Sequence, residues 1–195
     1  MSHQAVNRMS SKEFLDWGLH QELSYELVDG NPVPRASVTQ LHDRIVANVH
    51  GLLYNLLRGQ KCSAFTAAIA VQIPAGNIRR PDAGIDCGTF DPDEAAAVAP
   101  FLVFEVLSRS TRDFDMSGKL EEYKTVPTLA HIVIVDPDTP QVFHWTRSQN
   151  EPWRDELLAG LDAFIRLPEF DGIVDLADLY EGVTFRMSRE GGSST

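Results

Sequence analysis

Residues 101–107 read Phe-Leu-Val-Phe-Glu-Val-Leu, an almost unbroken apolar run interrupted by one charge. A run of this length and composition fits a strand covered on both faces, which requires a sheet with helices packed against it. The interrupting carboxylate, Glu105, is costly to bury unless it binds a metal, pairs with a cation or sits at the strand end.

The flanking sequence supplies the other layers. Residues 10–20 begin with Ser10 or Ser11 as a cap and Glu13 in the first turn, and carry Phe14, Leu15 and Trp17, the pattern of a short amphipathic helix. Residues 25–33 predict a hairpin around Asp29-Gly30, with Glu26 in its first arm. Leu41, Ile45, Val49, Leu52 and Leu56 recur every three or four residues and predict a long helix over 39–58, capped by Thr39 and ended by Gly59. The β-rich runs 62–66 and 68–73, closed by the turn cluster 74–77, read as a hairpin. Arg80-Pro81 leads into residues 82–86, and 91–99 form a loop or short helix. Asp115 or Ser117 caps a helix over 119–125 that Pro127 stops. Residues 130–135 predict a buried strand, 136–140 a turn and 141–146 a further strand, with more β structure at 153–158 and 163–167. A last short helix is expected over 174–180. The order of elements is that of an α/β fold with a mixed sheet flanked by helices.

With 195 residues, 43% hydrophobic and 23% charged, the chain suits one globular domain, here 10–186, between a flexible N-terminus (1–9) and a Gly- and Ser-rich tail (187–195) expected to be disordered. No apolar run approaches the roughly 20 residues of a membrane helix. Met1–Met9 lacks a basic region followed by an apolar one, so no membrane partner and a cytoplasmic location are expected. Cys62 and Cys87 stand in no metal-ligand spacing, which argues against a zinc site and a disulfide framework and predicts reduced thiols.

Asp82 and Glu105 stand at the ends of strand-like runs, and Lys119 opens the helix that follows, which is how a divalent-metal site is assembled from distant segments. Each also has a plainer reading. Asp82 after Pro81 suits a turn, Glu105 suits a strand-end carboxylate paired with Arg80 or Lys119, and Lys119 suits a first-turn lysine paired with Glu122. His42 continues the Val46, Val49, Leu53 stripe and borders the buried face, either hydrogen-bonded there or in contact with a metal site or phosphate. Arg109 and Arg112 are candidate phosphate contacts or surface charges.

Tyr25-Glu26-Leu27-Val28-Asp29-Gly30, His42, Arg80-Pro81-Asp82, Phe104-Glu105-Val106-Leu107-Ser108, Ser110-Thr111-Arg112 with Asp115 and Lys119, and Val135-Asp136-Pro137 together resemble, in order and spacing, the Uma-two family described as restriction endonucleases. That family belongs to the PD-(D/E)XK nuclease superfamily, and the resemblance spans about residues 10–182. It implies a restriction-endonuclease-like core and a metal-dependent endonuclease that holds Mg2+ or Mn2+ through Asp82 and Glu105. Glu26 then corresponds to the upstream acid that completes such sites. The chain departs from the superfamily pattern at Leu107, where a lysine is usual; Lys119 resembles the migrated lysine of this family, with Tyr123 one turn on. The other reading is a weakly active or inactive binding or assembly module on the same fold.

The partner implied is nucleic acid, DNA in the first place. With 17 basic against 28 acidic residues, the net charge of −11 opposes binding through bulk electrostatics. Arg79, Arg80, Arg109, Arg112 and Lys119 are therefore expected to form a local basic rim, doubled in a homodimer.

Overall fold

The structure is a computed structural model that describes residues 8–108, 115–148 and 151–185. The expectations for Arg109, Arg112 and the tail from Met187 fall outside these residues, as do those for residues 1–7.

At its centre is a six-stranded mixed sheet in the order β10-β9-β8-β7-β6-β3. β7 (Pro100–Val106) is the predicted double-covered strand, and it pairs in parallel with β8 (His131–Asp136). A parallel pair cannot be closed by a tight turn and needs a crossover. Here the described part of that crossover is a π-helical turn, Asp115–Lys119, running into helix α3, Leu120–Lys124. The remaining pairings are antiparallel: β7 with β6 (Ala83–Asp86), β6 with β3 (Ser63–Thr66), β8 with β9 (Gln141–Thr146), and β9 with β10 (Arg154–Ala159).

Side chains alternate along a strand, so β7 serves two cores. Leu102, Phe104 and Val106 meet helix α2 (Gln40–Leu56) through Ile45, Val49 and Leu53. Val103 and Leu107 meet Leu120, Tyr123 and Leu129 on the other face. Glu105 shares the second face, beneath α3. Thr39 caps α2 by accepting the His42 amide, and Gly59, at φ 79°, takes the left-handed conformation beyond its end.

A second sheet, β2-β1-β5-β4, stands beside the first. Its hairpin, β1 (Tyr25–Val28) and β2 (Asn31–Pro34), turns through Asp29 and Gly30 at φ 49° and 77°. Two successive positive φ values define the tight turn whose twist matches the strands. Helix α1 (Ser11–Gly18), closed by a Ser10–Glu13 capping box, packs Phe14 into a small core with Leu27 and Ile78.

Three local expectations are corrected. Residues 62–73 do not form one hairpin: β3 pairs with β6, while β4 (Val71–Gln72) pairs with β5 (Ile78–Arg79) across the 74–77 turn. Gly84 explains the docking of β3. A Cβ there would stand 2.3 Å from the Phe65 ring, so only the bare backbone admits that side chain.

Cys62 and Cys87 are not free thiols but a disulfide, formed because the Ser63↔Asp86 register brings the two flanking cysteines together at the sheet edge. Finally, Val174 and Asp175 belong to β12 (Gly172–Asp175), paired with β11 (Phe164–Leu167), and only Leu176–Leu179 is helical (α4). Val174 pairs with Ile165, and both side chains join the α2 core. Among the described residues no helix is long and apolar enough to cross a membrane.

Candidate active site

Asp82 stands one residue before β6. Ala83 pairs with Phe104, so the register carried one step further sets Asp82 opposite Glu105. Beyond that last ladder pair the Asp82 carboxylate meets His42 of α2, whereas Glu105 meets Tyr123 of α3. Both carboxylates line one cavity of about 330 Å³, together with Glu26, Arg35, His42 and Lys119.

Asp82 is held at both oxygens. Oδ2 accepts the Val106 amide at 2.9 Å and lies 3.2 Å from His42 Nε2, while Oδ1 accepts from Arg35 Nη2 at 2.8 Å. Burial works against its ionisation, but the His42 hydrogen bond and charge, the Val106 amide and Arg35 outweigh it and keep the carboxyl below its ordinary range. His42 therefore belongs to the site. Its second ring nitrogen, Nδ1, is buried and has no hydrogen-bond partner among the described residues.

Glu105 is 3% exposed. Its Oε1 accepts from the Tyr123 hydroxyl at 2.7 Å and from Lys119 Nζ at 3.3 Å. Lys119 closes the π turn and Tyr123 follows four residues later, so both fall on the face of the crossover that looks down on β7. Burial, followed by the charges of Glu105 and Glu26, pushes the Tyr123 phenol well above its usual value, so it stays protonated as a donor. Lys119 Nζ also lies 3.4 Å from Glu26 Oε1, which brings the hairpin into the site.

Behind this group runs a second buried network. Arg79 Nη1 donates to Glu26 Oε2 at 3.1 Å, Arg79 also grips Glu122 on α3, and Asn77 donates to the same Glu122 at 2.7 Å. Burial works against the Arg79 charge, but the hydrogen bonds and charges of Glu122 and then Glu26 outweigh it and hold the guanidinium above its ordinary value.

The expected basic rim is corrected at Arg79 and Arg80. Arg79 is 1% exposed and faces two carboxylates, and Arg80 is tied to the carbonyls of Tyr25 and Ala68. Ile78 faces the Phe14 core, so Arg79 turns to the opposite face of its strand, where Glu26 and Glu122 cover it. Among the described residues the most exposed cation lining the cavity is Arg35, which sequence reasoning missed. It sits in an irregular segment after β2, with no periodicity to mark it, and only the folding of the hairpin over the sheet brings it to Asp82.

Asp82 and Glu105 offer hard carboxylate oxygens to one cavity. Among the described residues no three His, Cys, Asp or Glu side chains gather closely enough to enclose a metal ion. The donor set fits Mg2+, which keeps several waters and is bound through one or two carboxylates.

Comparisons with known proteins bear on the fold and the family. A crystal structure described as a putative nuclease belonging to DUF820, from Anabaena variabilis, superimposes with a TM-score of 0.70 at 18% identity, covering 88% of this chain and 97% of that one. It shows that the fold is shared. Two proteins of Synechocystis sp. are similar in sequence. The uncharacterized protein slr1290 is 26% identical over 148 residues, 75% of this chain and 78% of its own. The uncharacterized protein sll1609 is 26% identical over 144 residues, 72% and 81%. The family model described as "Uma2: Putative restriction endonuclease" matches residues 11–178, nearly the whole described chain, and the protein therefore belongs to the Uma2 family.

Proposed function

We propose that the protein is a Mg2+- or Mn2+-dependent endonuclease of the PD-(D/E)XK type that hydrolyses phosphodiester bonds of nucleic acid, DNA in the first place. The observation that supports this reading is the convergence of Asp82, Glu105 and Lys119 on one cavity from a strand start, a neighbouring strand and a crossover turn. Asp82 and Glu105 would hold the ion, which when bound supplies a more acidic water and neutralises charge on the phosphate.

The chain's own groups have separable tasks. Lys119 directs its ammonium at the attacking water or at the charge that develops on the phosphate oxygens. Glu26 and Glu105 hold that ammonium between them, and Tyr123 fixes the Glu105 carboxylate by donating to Oε1. Val106 and His42 fix Asp82. Since the chain carries a net charge of −11 and Arg79 and Arg80 form no rim, docking of nucleic acid relies on the bound metal ion and on a homodimer that sets two cavities on one surface.

A second reading is a binding or assembly module without activity. It is favoured by the ion pairs already made within the site, Asp82 with Arg35 and Glu105 with Lys119, which satisfy carboxylates without a metal. Calorimetric titration with Mn2+ separates the two. Binding that Asp82→Ala abolishes, with cleavage of plasmid DNA that the same substitution removes, supports the enzyme; no binding at millimolar Mn2+ leaves the module.

A further inference from the structure

We infer that Arg35 is a built-in competitor for the metal: its guanidinium and a divalent cation occupy Asp82 Oδ1 in turn, and the displaced arginine becomes the cavity's phosphate contact. The inference rests on the metal-site reading above and adds how that site is kept closed and then opened.

The charges lining the cavity carry the argument. Among the described residues, three carboxylates, Glu26, Asp82 and Glu105, line it together with three cations, Arg35, Arg79 and Lys119. A divalent ion entering at Asp82 Oδ1 therefore meets a resident cation, Arg35, already on that oxygen, and like-charge repulsion favours its withdrawal.

Two of the three have nowhere to go. Arg79 is 1% exposed between Glu26 and Glu122, and the Lys119 side chain, 10% exposed, lies between Glu26 and Glu105. The Arg35 side chain is 24% exposed.

Its rooting also differs. The Asp82 oxygen that Arg35 does not touch is fixed to the frame, Oδ2 to the Val106 amide and His42. Oδ1 is met by a long side chain from the irregular segment between β2 and α2, whose backbone is anchored by the Arg35 amide donating to the Ser24 carbonyl. There is room for the movement, because a second cavity of about 380 Å³ lies beside the first, and Arg35, Ser37, His42 and Asp82 line both. A guanidinium swung from Oδ1 stays at the mouth, and its planar fork suits a phosphate better than an ammonium would.

The test uses the full chain and Mn2+ alone, titrated calorimetrically at low salt into wild type, Arg35→Gln and Arg35→Lys, with Asp82→Asn as the control. Arg35→Gln should bind Mn2+ roughly two- to fivefold more tightly than wild type, the range of a partly exposed ion pair. Arg35→Lys, which keeps the charge, should remain at wild-type affinity. With Ca2+ in place of Mn2+, a fluorescein-labelled DNA oligonucleotide should bind Arg35→Gln more weakly than wild type although the metal binds more tightly.

Equal or weaker Mn2+ binding by Arg35→Gln overturns the competition, as does equal tightening in both variants. If Asp82→Asn abolishes binding in the wild-type background while Arg35→Gln gives no gain, only this inference falls. If neither wild type nor Arg35→Gln binds Mn2+, the metal-site reading falls with it.

Discussion

The Tyr123 hydroxyl donates to Glu105 Oε1 at 2.7 Å, and the Lys119 ammonium reaches the same oxygen at 3.3 Å from one helical turn earlier. A carboxylate interrupting an apolar strand is thus held from above by the crossover that the parallel β7–β8 pairing demands.

Removing the phenol tests that hold. A hydrogen bond to a buried charged group contributes about 1.5–3 kcal/mol, so Tyr123→Phe should lower the unfolding free energy by roughly that amount in urea titration. A change below about 0.5 kcal/mol would mean that Glu105 is stabilised by other partners.

Lys119→Ala separates chemistry from metal binding. A positioned proton donor or charge stabiliser contributes about 10²–10⁴-fold to rate, so plasmid cleavage should fall by that factor while calorimetric Mn2+ affinity changes little. Loss of both together would instead make Lys119 a structural partner of Glu105 and Glu26.

The disulfide gives a stability prediction. Cys62 and Cys87 are separated by 25 residues, and closing a loop of that size restricts the unfolded chain by about 3.5 kcal/mol. Thermal unfolding of Cys62→Ser/Cys87→Ser should therefore begin well below that of the oxidised protein, and a reducing agent should lower only the latter. Coincident curves would show that the β3–β6 pairing alone holds the edge.

A pair of histidines far from the cavity gives a pH dependence. His131 Nδ1 and His144 Nε2 are 3.0 Å apart, and their outer nitrogens meet Glu169 and Glu156. Burial, reinforced by His131, lowers His144 to about 4, and burial lowers His131 as well. A histidine whose folded value lies below its unfolded value of about 6.5 makes the unfolded state bind the extra proton first. Stability is then complete above about pH 6.5 and is lost as pH falls towards 4, by an amount on the order of 1–3 kcal/mol. Unfolding free energies between pH 7.5 and 4.5 should show this slope in the wild type and a shallower one in His144→Gln; parallel slopes would remove His144 as its source.

Local patterns in the chain were enough to determine the elements that one segment settles alone. The Thr39-capped stripe of α2, the Asp29-Gly30 hairpin, the Ser10–Glu13 capping box and the double-covered β7 each follow from periodicity, turn chemistry or capping within a few residues. The ordered motifs that resemble the Uma-two family likewise singled out Glu26, Asp82, Glu105 and Lys119, which the structure brings to one cavity.

Tertiary structure decided what depends on pairing across distance. The Cys62–Cys87 bridge exists because β3 docks against β6, and β3 docks there because Gly84 leaves space for Phe65; neither fact is visible in the spacing of the two cysteines. The same holds for charge. Arg79 and Arg35 are both arginines next to β structure, yet one is buried between Glu26 and Glu122 while the other guards Asp82 at the cavity mouth. Sequence places charges along a line, whereas the partner that fixes each is chosen by register and by which face of the sheet it meets, and these are set only when the strands assemble.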